Sequence, residues 1–260
     1  MIAKYLDRFN WLCNRTLLWS YSAINIKTSD RLLVSFPKAG STWVRYFLYQ
    51  ILCQRSDEQG ISMDSANRLM PEFANRSMFL PWSFDECSRV VKTHQRYNPI
   101  FGGKNVVLII RDPRDIIVSF YHYALGSNDY NFSGTVSDML RHPRMGARAC
   151  ISHYQSWVKH AQLILTYEGI KANPYLEFLR LLESYGIERS EEEIKLAIEA
   201  SDFSSMRKAQ ANSQALKKEF KDGHQFVRSG KTSQWRELFS PEDISFYSQL
   251  CADYKFNLYD

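Results

Sequence analysis

Four short polar clusters in this chain each follow directly on an apolar run. Lys38-Ala39-Gly40-Ser41-Thr42-Trp43 comes after Leu32 to Phe36 and a proline, and Lys92-Thr93-His94 after Val90-Val91. Arg111 to Ser119 comes after Val106 to Ile110, and Tyr167-Glu168 after Leu163-Ile164-Leu165. The first cluster suits an anion: small residues leave backbone N–H groups open at a helix N-terminus, and a lysine adds a full charge. It lacks the Walker order GxxxxGK[ST], because Lys38 precedes Gly40. His94, with an ordinary pKa of ~6.5, can accept a proton near neutral pH, and Lys92 stands beside it. Arg111 offers a planar fork for a terminal phosphate. Ser119, eight residues further on, is just over two helical turns away and can face the same side. Together these groups suit a ligand that carries phosphates.

Such clusters work only if strands end where they begin. Leu32 to Phe36 reads as a buried strand, and Val106 to Ile110 as a stronger one. Val90-Val91 and Leu163 to Leu165 read as short ones. Between them Val44, Phe47, Leu48, Ile51 and Leu52 repeat at helical spacing. A helix is predicted near Pro113, a favoured first-turn residue. Another runs from Pro174 to Gly186, a third follows the capping box at Ser190 to Glu193, and a last one starts at Ser240-Pro241. Alternating strands and helices predict an α/β domain with a mostly parallel sheet, which puts all four clusters on its carboxyl edge, where ligands bind. Residues 56–88 and 125–149 show no clear period and are expected to wall the second substrate's pocket, with Phe79, Trp82, Tyr97, Phe101, Tyr121 and Phe132 as aromatic candidates. Residues 208–234 read as a polar segment covering the site. Arg114 and Asp115 read as a salt-bridged helix start.

Composition narrows the partners. A formal charge of +5 over 260 residues suits a small anionic ligand and is too weak and dispersed for nucleic acid. The five cysteines are odd in number and widely spaced, without a CxxC pair, so reduced thiols and a cytoplasmic location are expected. No carboxylate–histidine spacing argues for a metal. The start of the chain lacks a secretory pattern, and no run reaches the ~18 apolar residues of a membrane span. Phe9 to Ile26 is fairly apolar and reads as a helix packed on the domain rather than on a membrane surface. His122 reads as a packed helical histidine, and His142, His153, His160 and His224 as structural or surface residues.

The ordered set of motifs resembles the cytosolic-type sulfotransferases, which use 3′-phosphoadenosine 5′-phosphosulfate. Pro37-Lys38-Ala39-Gly40-Ser41-Thr42-Trp43 is similar to that family's 5′-phosphosulfate loop, usually Pro-Lys-Ser-Gly-Thr-Thr-Trp. Arg111 to His122 is similar to its 3′-phosphate segment, with Arg111 and Ser119 at the phosphate-contacting positions. Lys92-Thr93-His94 resembles the catalytic segment. Tyr167 resembles a tyrosine that reaches the adenine, and Ser201 and Phe203 a further nucleotide-side segment. Phe226-Val227-Arg228-Ser229-Gly230 resembles a late loop that closes over the 3′-phosphate. The match spans about residues 30 to 240.

The resemblance implies a single α/β domain over residues 30–260, P-loop-NTPase-like in its three layers, with 1–29 as a helical extension. It implies a sulfuryl group moving in line to a hydroxyl or amine of a small-molecule acceptor, without a metal. Lys38 would neutralise the leaving oxygen, His94 would be the base, Lys92 would steady the sulfuryl or acceptor oxygens, and Trp43 would offer a face to adenine. A P-loop kinase of small molecules is the rival enzyme, but it needs its lysine after the glycines. A catalytically dead nucleotide-binding module is the rival of another class, but it would have no need of His94. Three departures from the family pattern stand out. Ala39 replaces a serine, Ser229 a lysine and Ser233 a glycine. The family's usual dimerisation signature is absent from Arg236 to Pro241.

Overall fold

A computed structural model describes residues 2–56, 62–128, 130, 132–221 and 223–259, and leaves the side chains of 2–12, 67 and 68 undescribed. Parts of both unpatterned stretches, 57–61, 129 and 131, therefore lie outside the described residues. Four strands form one all-parallel sheet: β1 Arg31–Ser35, β2 Val90–Thr93, β3 Asn105–Ile110 and β4 Leu163–Thr166, in the order β2-β1-β3-β4. The register sets Leu33 beside Lys92 on one side and Val107 on the other. Leu32 to Val34 and Val107 to Ile109 are fully buried, which fits strands covered on both faces by helices.

The helices are α1 Ile2–Asn25, α2 Ser41–Cys53, α3 Met63–Leu69, α4 Pro113–Gly126, α5 Val136–Arg141, α6 Ala147–Trp157, α7 Tyr167–Ala172, α8 Pro174–Tyr185, α9 Glu191–Ala200, α10 Phe203–Asn212, α11 Gln214–Glu219, α12 Trp235–Leu238 and α13 Pro241–Tyr254. One group packs α2, α8 and α9 together, and another packs α4 with α5, α6 and α12. Phe47 lies flat on Phe178 with ring centroids 3.8 Å apart, locking α2 to α8. The caps follow the sequence: Asp112 caps α4 ahead of Pro113, Ser190 and Ser240 form capping boxes, and Gly186 ends α8 in the left-handed region. The strands differ from the sequence reading by a residue or so at their ends.

The sheet has one topological switch. From β1 the chain moves to one side to make β2, then crosses back to make β3 on the other side of β1. The carboxyl ends of β1 and β3 are therefore neighbours from which the chain departs in opposite directions, and a crevice opens there.

Two details differ from the sequence reading. Arg114 pairs with Asp112 at 2.8 Å and lies between the rings of Trp235 and Tyr247. Asp115, 1% exposed, instead accepts hydrogen bonds from the Ser233 and Trp235 N–H groups at 2.6 and 3.4 Å. It is an anchor for the late loop, because a buried carboxylate needs donors and these backbone groups reach it first. The second detail concerns α1, whose described side chains meet the domain near its C-terminal end. Trp19, Tyr21, Ala23 and Ile26 pack on the core, and the Ser22 hydroxyl accepts from the Ala74 N–H at 2.9 Å, whereas Cys13 to Leu17 are exposed. No described helix is long and apolar enough to cross a membrane.

Candidate active site

A cavity of about 900 Å³ opens at the switch point, between the turns that leave β1, β2 and β3. Residues from all four sequence clusters line it. Pro37 stops β1, and Lys38 follows in the left-handed region at φ 71°. Gly40 then takes φ 103°, where a side chain is strained, and a Cβ there would meet Tyr167 Cδ2 at 2.6 Å. Gly40 is also the N-cap of α2 and supplies no side-chain cap. The Trp43 N–H donates to the Gly40 carbonyl at 3.0 Å, so the Ser41 and Thr42 N–H groups are the first-turn donors that can meet a ligand. Ser41, Thr42 and Trp43 line the cavity beside them.

Arg111 emerges from β3 directly beside this turn. Its guanidinium donates to the Lys38 carbonyl at 3.4 Å and the Lys231 carbonyl at 2.9 Å, and lies 4.2 Å from the centre of the Tyr167 ring. Its Nε is buried without a partner, as is the indole Nε1 of Trp43. An orphaned guanidinium N–H beside a crevice edged by helix N–H groups suits an anion. Ser119 lines the same cavity from α4, and Arg228, Ser229 and Gly230 line it from the late loop. That loop is tied down at Gly230, whose carbonyl accepts from the Tyr167 hydroxyl at 3.1 Å and Lys171 Nζ at 2.9 Å. Gly230 sits at φ 63° against the ring of Phe203, which a Cβ would meet at 2.8 Å.

His94 follows β2. Its Nδ1 is 2.7 Å from the Ser35 carbonyl, so that nitrogen carries the hydrogen and donates it. Nε2 keeps its lone pair on a ring that lines the cavity. Burial and the neighbouring Lys92 charge lower its pKa to about 4, so it is neutral and ready to accept a proton at physiological pH. Lys92 Nζ donates to Glu72 Oε2 at 2.9 Å, and Arg45 Nη1 lies 3.8 Å from the same oxygen. Burial alone would raise the Glu72 pKa, but Lys92 foremost, with His94 and Arg45, holds it at about 2. The Lys38 ammonium lies 4.1 Å from the ring centres of both Tyr123 and Phe226. Enclosure there, against the pull of Glu219 and with Arg111 and Lys92 nearby, lowers its pKa to about 7.

Lys38, Gly40, Ser41, Thr42, Trp43, Lys92, His94, Arg111, Ser119, Tyr167, Phe203, Arg228, Ser229 and Gly230 all line the one cavity. Two predicted residues lie apart from it. Ala39 is fully buried with its N–H bonded to the Phe36 carbonyl. Ser201, also fully buried, turns its hydroxyl back to the Ala197 carbonyl at 2.7 Å; Asp202 and Phe203 face the cavity in its stead.

The six aromatic candidates for the second pocket lie elsewhere. Phe79 stacks on Tyr21, Trp82 packs on Phe84, Tyr97 and Phe101 pack on Trp157, and Tyr121 pairs with Phe132. The unpatterned stretches do contribute, but through Met63, Glu72, Asn75, Ser77 and Tyr130. Sequence reasoning passed over Arg45, Glu72, Tyr123 and Glu219. Two of these carried a signal: Glu72 is the only acidic residue between Ser65 and Phe84, and Arg45 interrupts the apolar stripe of α2.

A model of the sulfotransferase domain matches residues 28–258. The chain belongs to this family. Its class of reaction is sulfuryl transfer, which leaves the kinase and the inactive-module readings without support. Among relatives, mouse sulfotransferase 6B1 is 24% identical over 246 residues, covering 88% of this chain and 77% of that protein. Bovine sulfotransferase 1A1 is 25% identical over 235 residues, covering 81% and 78%. Among solved structures, mouse sulfotransferase SULT7A1 complexed with PAP has a TM-score of 0.72 at 21% identity, covering 93% of this chain and 89% of that one. A retinol dehydratase in complex with androsterone and inactive cofactor PAP has a TM-score of 0.71 at 18% identity, covering 89% and 82%.

Proposed function

We propose that this sulfotransferase takes its sulfuryl group from 3′-phosphoadenosine 5′-phosphosulfate and passes it to a hydroxyl or amine of a small molecule, with His94 as general base. One observation carries the reading. Two separate sets of anion-binding groups, the open first turn of α2 with Lys38 and the half-satisfied Arg111 with Ser119, edge one cavity whose third wall holds a neutral histidine. A donor with phosphates at two positions of its ribose fits that layout, and PAP is the molecule bound in the SULT7A1 and retinol dehydratase structures.

The donor supplies an activated sulfur–oxygen bond. Each other part of the reaction falls to a residue of the chain. The α2 amides and Lys38 hold the 5′-phosphate, and Lys38 meets the negative charge that grows on the bridging oxygen as the S–O bond breaks. A fixed donor of this kind is worth roughly 10²–10³ in rate. Arg111, Ser119 and the Arg228 loop hold the 3′-phosphate. Tyr167, Trp43 and Phe203 offer faces and edges to the base. His94 Nε2 takes the acceptor's proton as the new S–O or S–N bond forms, and the Nδ1 bond to Ser35 fixes the ring that does so. Lys92, held by Glu72, adds positive charge beside the sulfuryl oxygens.

Titration with PAP and, separately, with ATP tests the donor half. Binding of PAP well ahead of ATP is expected, and equal or weaker binding would sink the assignment. Transfer from 35S-labelled donor to a panel of phenols, sterols, alcohols and amines tests the reaction itself.

A further inference from the structure

The acceptor end of the cavity has a chemistry of its own, which bears on the class of acceptor if the sulfuryl-transfer reading holds. Phe120, Tyr123, Tyr130 and Phe226 line the cavity together with Glu219. The rings meet edge to face: Tyr123 and Tyr130 at 5.5 Å, Tyr123 and Phe226 at 6.0 Å, Phe120 and Tyr130 at 5.9 Å. The Tyr123 hydroxyl donates to Glu219 Oε1. Two glutamates of the cavity are in unlike states. Glu72 is neutralised by Lys92 and Arg45, whereas Glu219 is in no ion pair within 4.0 Å among the described residues.

Aromatic faces and one uncompensated carboxylate are what an ammonium group seeks. An ammonium in fact lies there. Lys38 Nζ is 4.1 Å from both the Tyr123 and the Phe226 ring centres, and Glu219 is the charge that acts on it most strongly. Yet Lys38 leaves the turn that faces the donor, and the two charges of a phosphosulfate attract a lysine more than neutral rings do. A donor in place draws Lys38 out of the corner and leaves the rings and Glu219 without a cation.

We propose that the corner of Tyr123, Phe226 and Glu219 is an ammonium site with two successive occupants, Lys38 in the empty protein and the protonated amine of the acceptor once the donor is bound. The acceptor is then a hydroxyl compound that also carries an aliphatic amine, and it follows the donor in order of binding. The hydroxyl loses its proton to His94 and gains the sulfuryl group, while the amine stays protonated against Glu219 and serves for recognition alone.

Two matched pairs of acceptors test this: tyramine against 4-propylphenol, and 6-aminohexanol against heptanol, in which a methyl group replaces the ammonium. Transfer and binding to the PAP-loaded protein are measured for both pairs. The charged member is expected to lead by at least tenfold in kcat/KM. With the protein saturated with PAP, Glu219→Gln should bring each pair within about twofold. Phe226→Leu, which keeps the carboxylate, should lose part of the preference. Equal or better use of the neutral members, a preference that survives Glu219→Gln, or no binding of either pair would overturn the proposal.

Lys38 itself gives a second reading. With 13Cε-labelled lysine, its resonance, identified by its loss in Lys38→Arg, should lie upfield in the free protein through ring currents. It should move downfield on addition of PAP, and an unmoved resonance counts against the first occupant. Failure of the protein to bind PAP would overturn the donor reading. Binding of PAP without discrimination within the pairs overturns only this inference.

Discussion

In the proposed assignment, the groups at the donor end of the cavity come in short segments: Lys38 with Gly40 to Trp43, Arg111 with Ser119, and Arg228 to Gly230. At the acceptor end they are single residues drawn from far apart, Met63, Glu72, Tyr123, Tyr130 and Glu219 among them. The first kind of site is built by backbone. A left-handed turn, a glycine that presses on Tyr167 and an uncapped helix start leave little freedom of residue type. The second kind is built by side chains converging from separate elements, and each can be exchanged without moving a strand. On that assignment, donor recognition and acceptor choice are separable.

The hardest test of that separation removes His94 and Arg111 in turn. His94→Ala should lower kcat on the order of 10³-fold, the usual reach of a general base, with PAP affinity within about twofold of wild type. Arg111→Ala should do the reverse, weakening PAP roughly a hundredfold by taking away a bidentate phosphate partner. Steady-state kinetics beside calorimetry decides the matter. If His94→Ala cost as much PAP affinity as turnover, the two ends would have to be treated as one.

Glu72→Gln probes the acceptor end through stability. It leaves Lys92 and Arg45, each less than 10% exposed, without their shared carboxylate. Breaking a buried ion pair from one side costs about 3 kcal/mol or more. The loss should appear at pH 7 in urea unfolding and shrink as pH falls. The Glu72 pKa is about 2 when folded, so the pair's contribution is present above the ordinary carboxylate range and fades in acid. A variant as stable as wild type would mean that water already screens the trio.

The same division explains what could be read in the sequence. Strands β1 and β3, the helix starts at Pro113, Ser190 and Ser240, and the cavity residues at the strand ends followed from apolar runs, caps and clusters, because each is a local feature of neighbouring residues, whereas Phe203 and Arg228 to Gly230 were reached only through the family resemblance. Ala39 and Ser201 kept their segments but not their contacts. The direction of a side chain within a segment depends on its packing, and both were turned inward by bonds to nearby carbonyls. The acceptor wall was misjudged residue by residue, since Phe79, Trp82 and Phe101 found apolar neighbours elsewhere and aromatic character alone does not say which neighbours those are. Glu219 became visible only when α11 was laid against the end of α4, where the Asn128 N–H bonds to its carbonyl at 2.8 Å.

A smaller effect should appear in the pH dependence of donor binding. The pKa of Lys38 is lowered to about 7 in the empty site, so its charged form, which a phosphate prefers, is lost as pH rises through that value. Binding an anion raises the pKa again. PAP affinity should therefore fall by up to tenfold per unit between pH 7 and the higher pKa of the complex. The phosphates are fully ionised there, with a second pKa of about 6, and His94, at about 4, does not titrate. Lys38→Arg, charged throughout, should flatten the profile. A slope that survives this change would assign the titration to another group.

The smallest effect belongs to the donor loop. Ser233 is held at φ 60°, a conformation that costs a residue other than glycine about 1 kcal/mol, and its N–H donates to Asp115 at 2.6 Å. Glycine keeps that bond and relieves the strain, but gives back about half the gain through the freedom of the unfolded chain. Ser233→Gly should therefore stabilise the protein by about 0.5 kcal/mol in urea unfolding, with acceptor preference unaltered. The sign of the result is what matters. A gain means that backbone geometry limits this end, in keeping with Lys38 and Gly40. A loss would mean that the Ser233 side chain contributes, and that the donor end relies on side chains more than its other turns do.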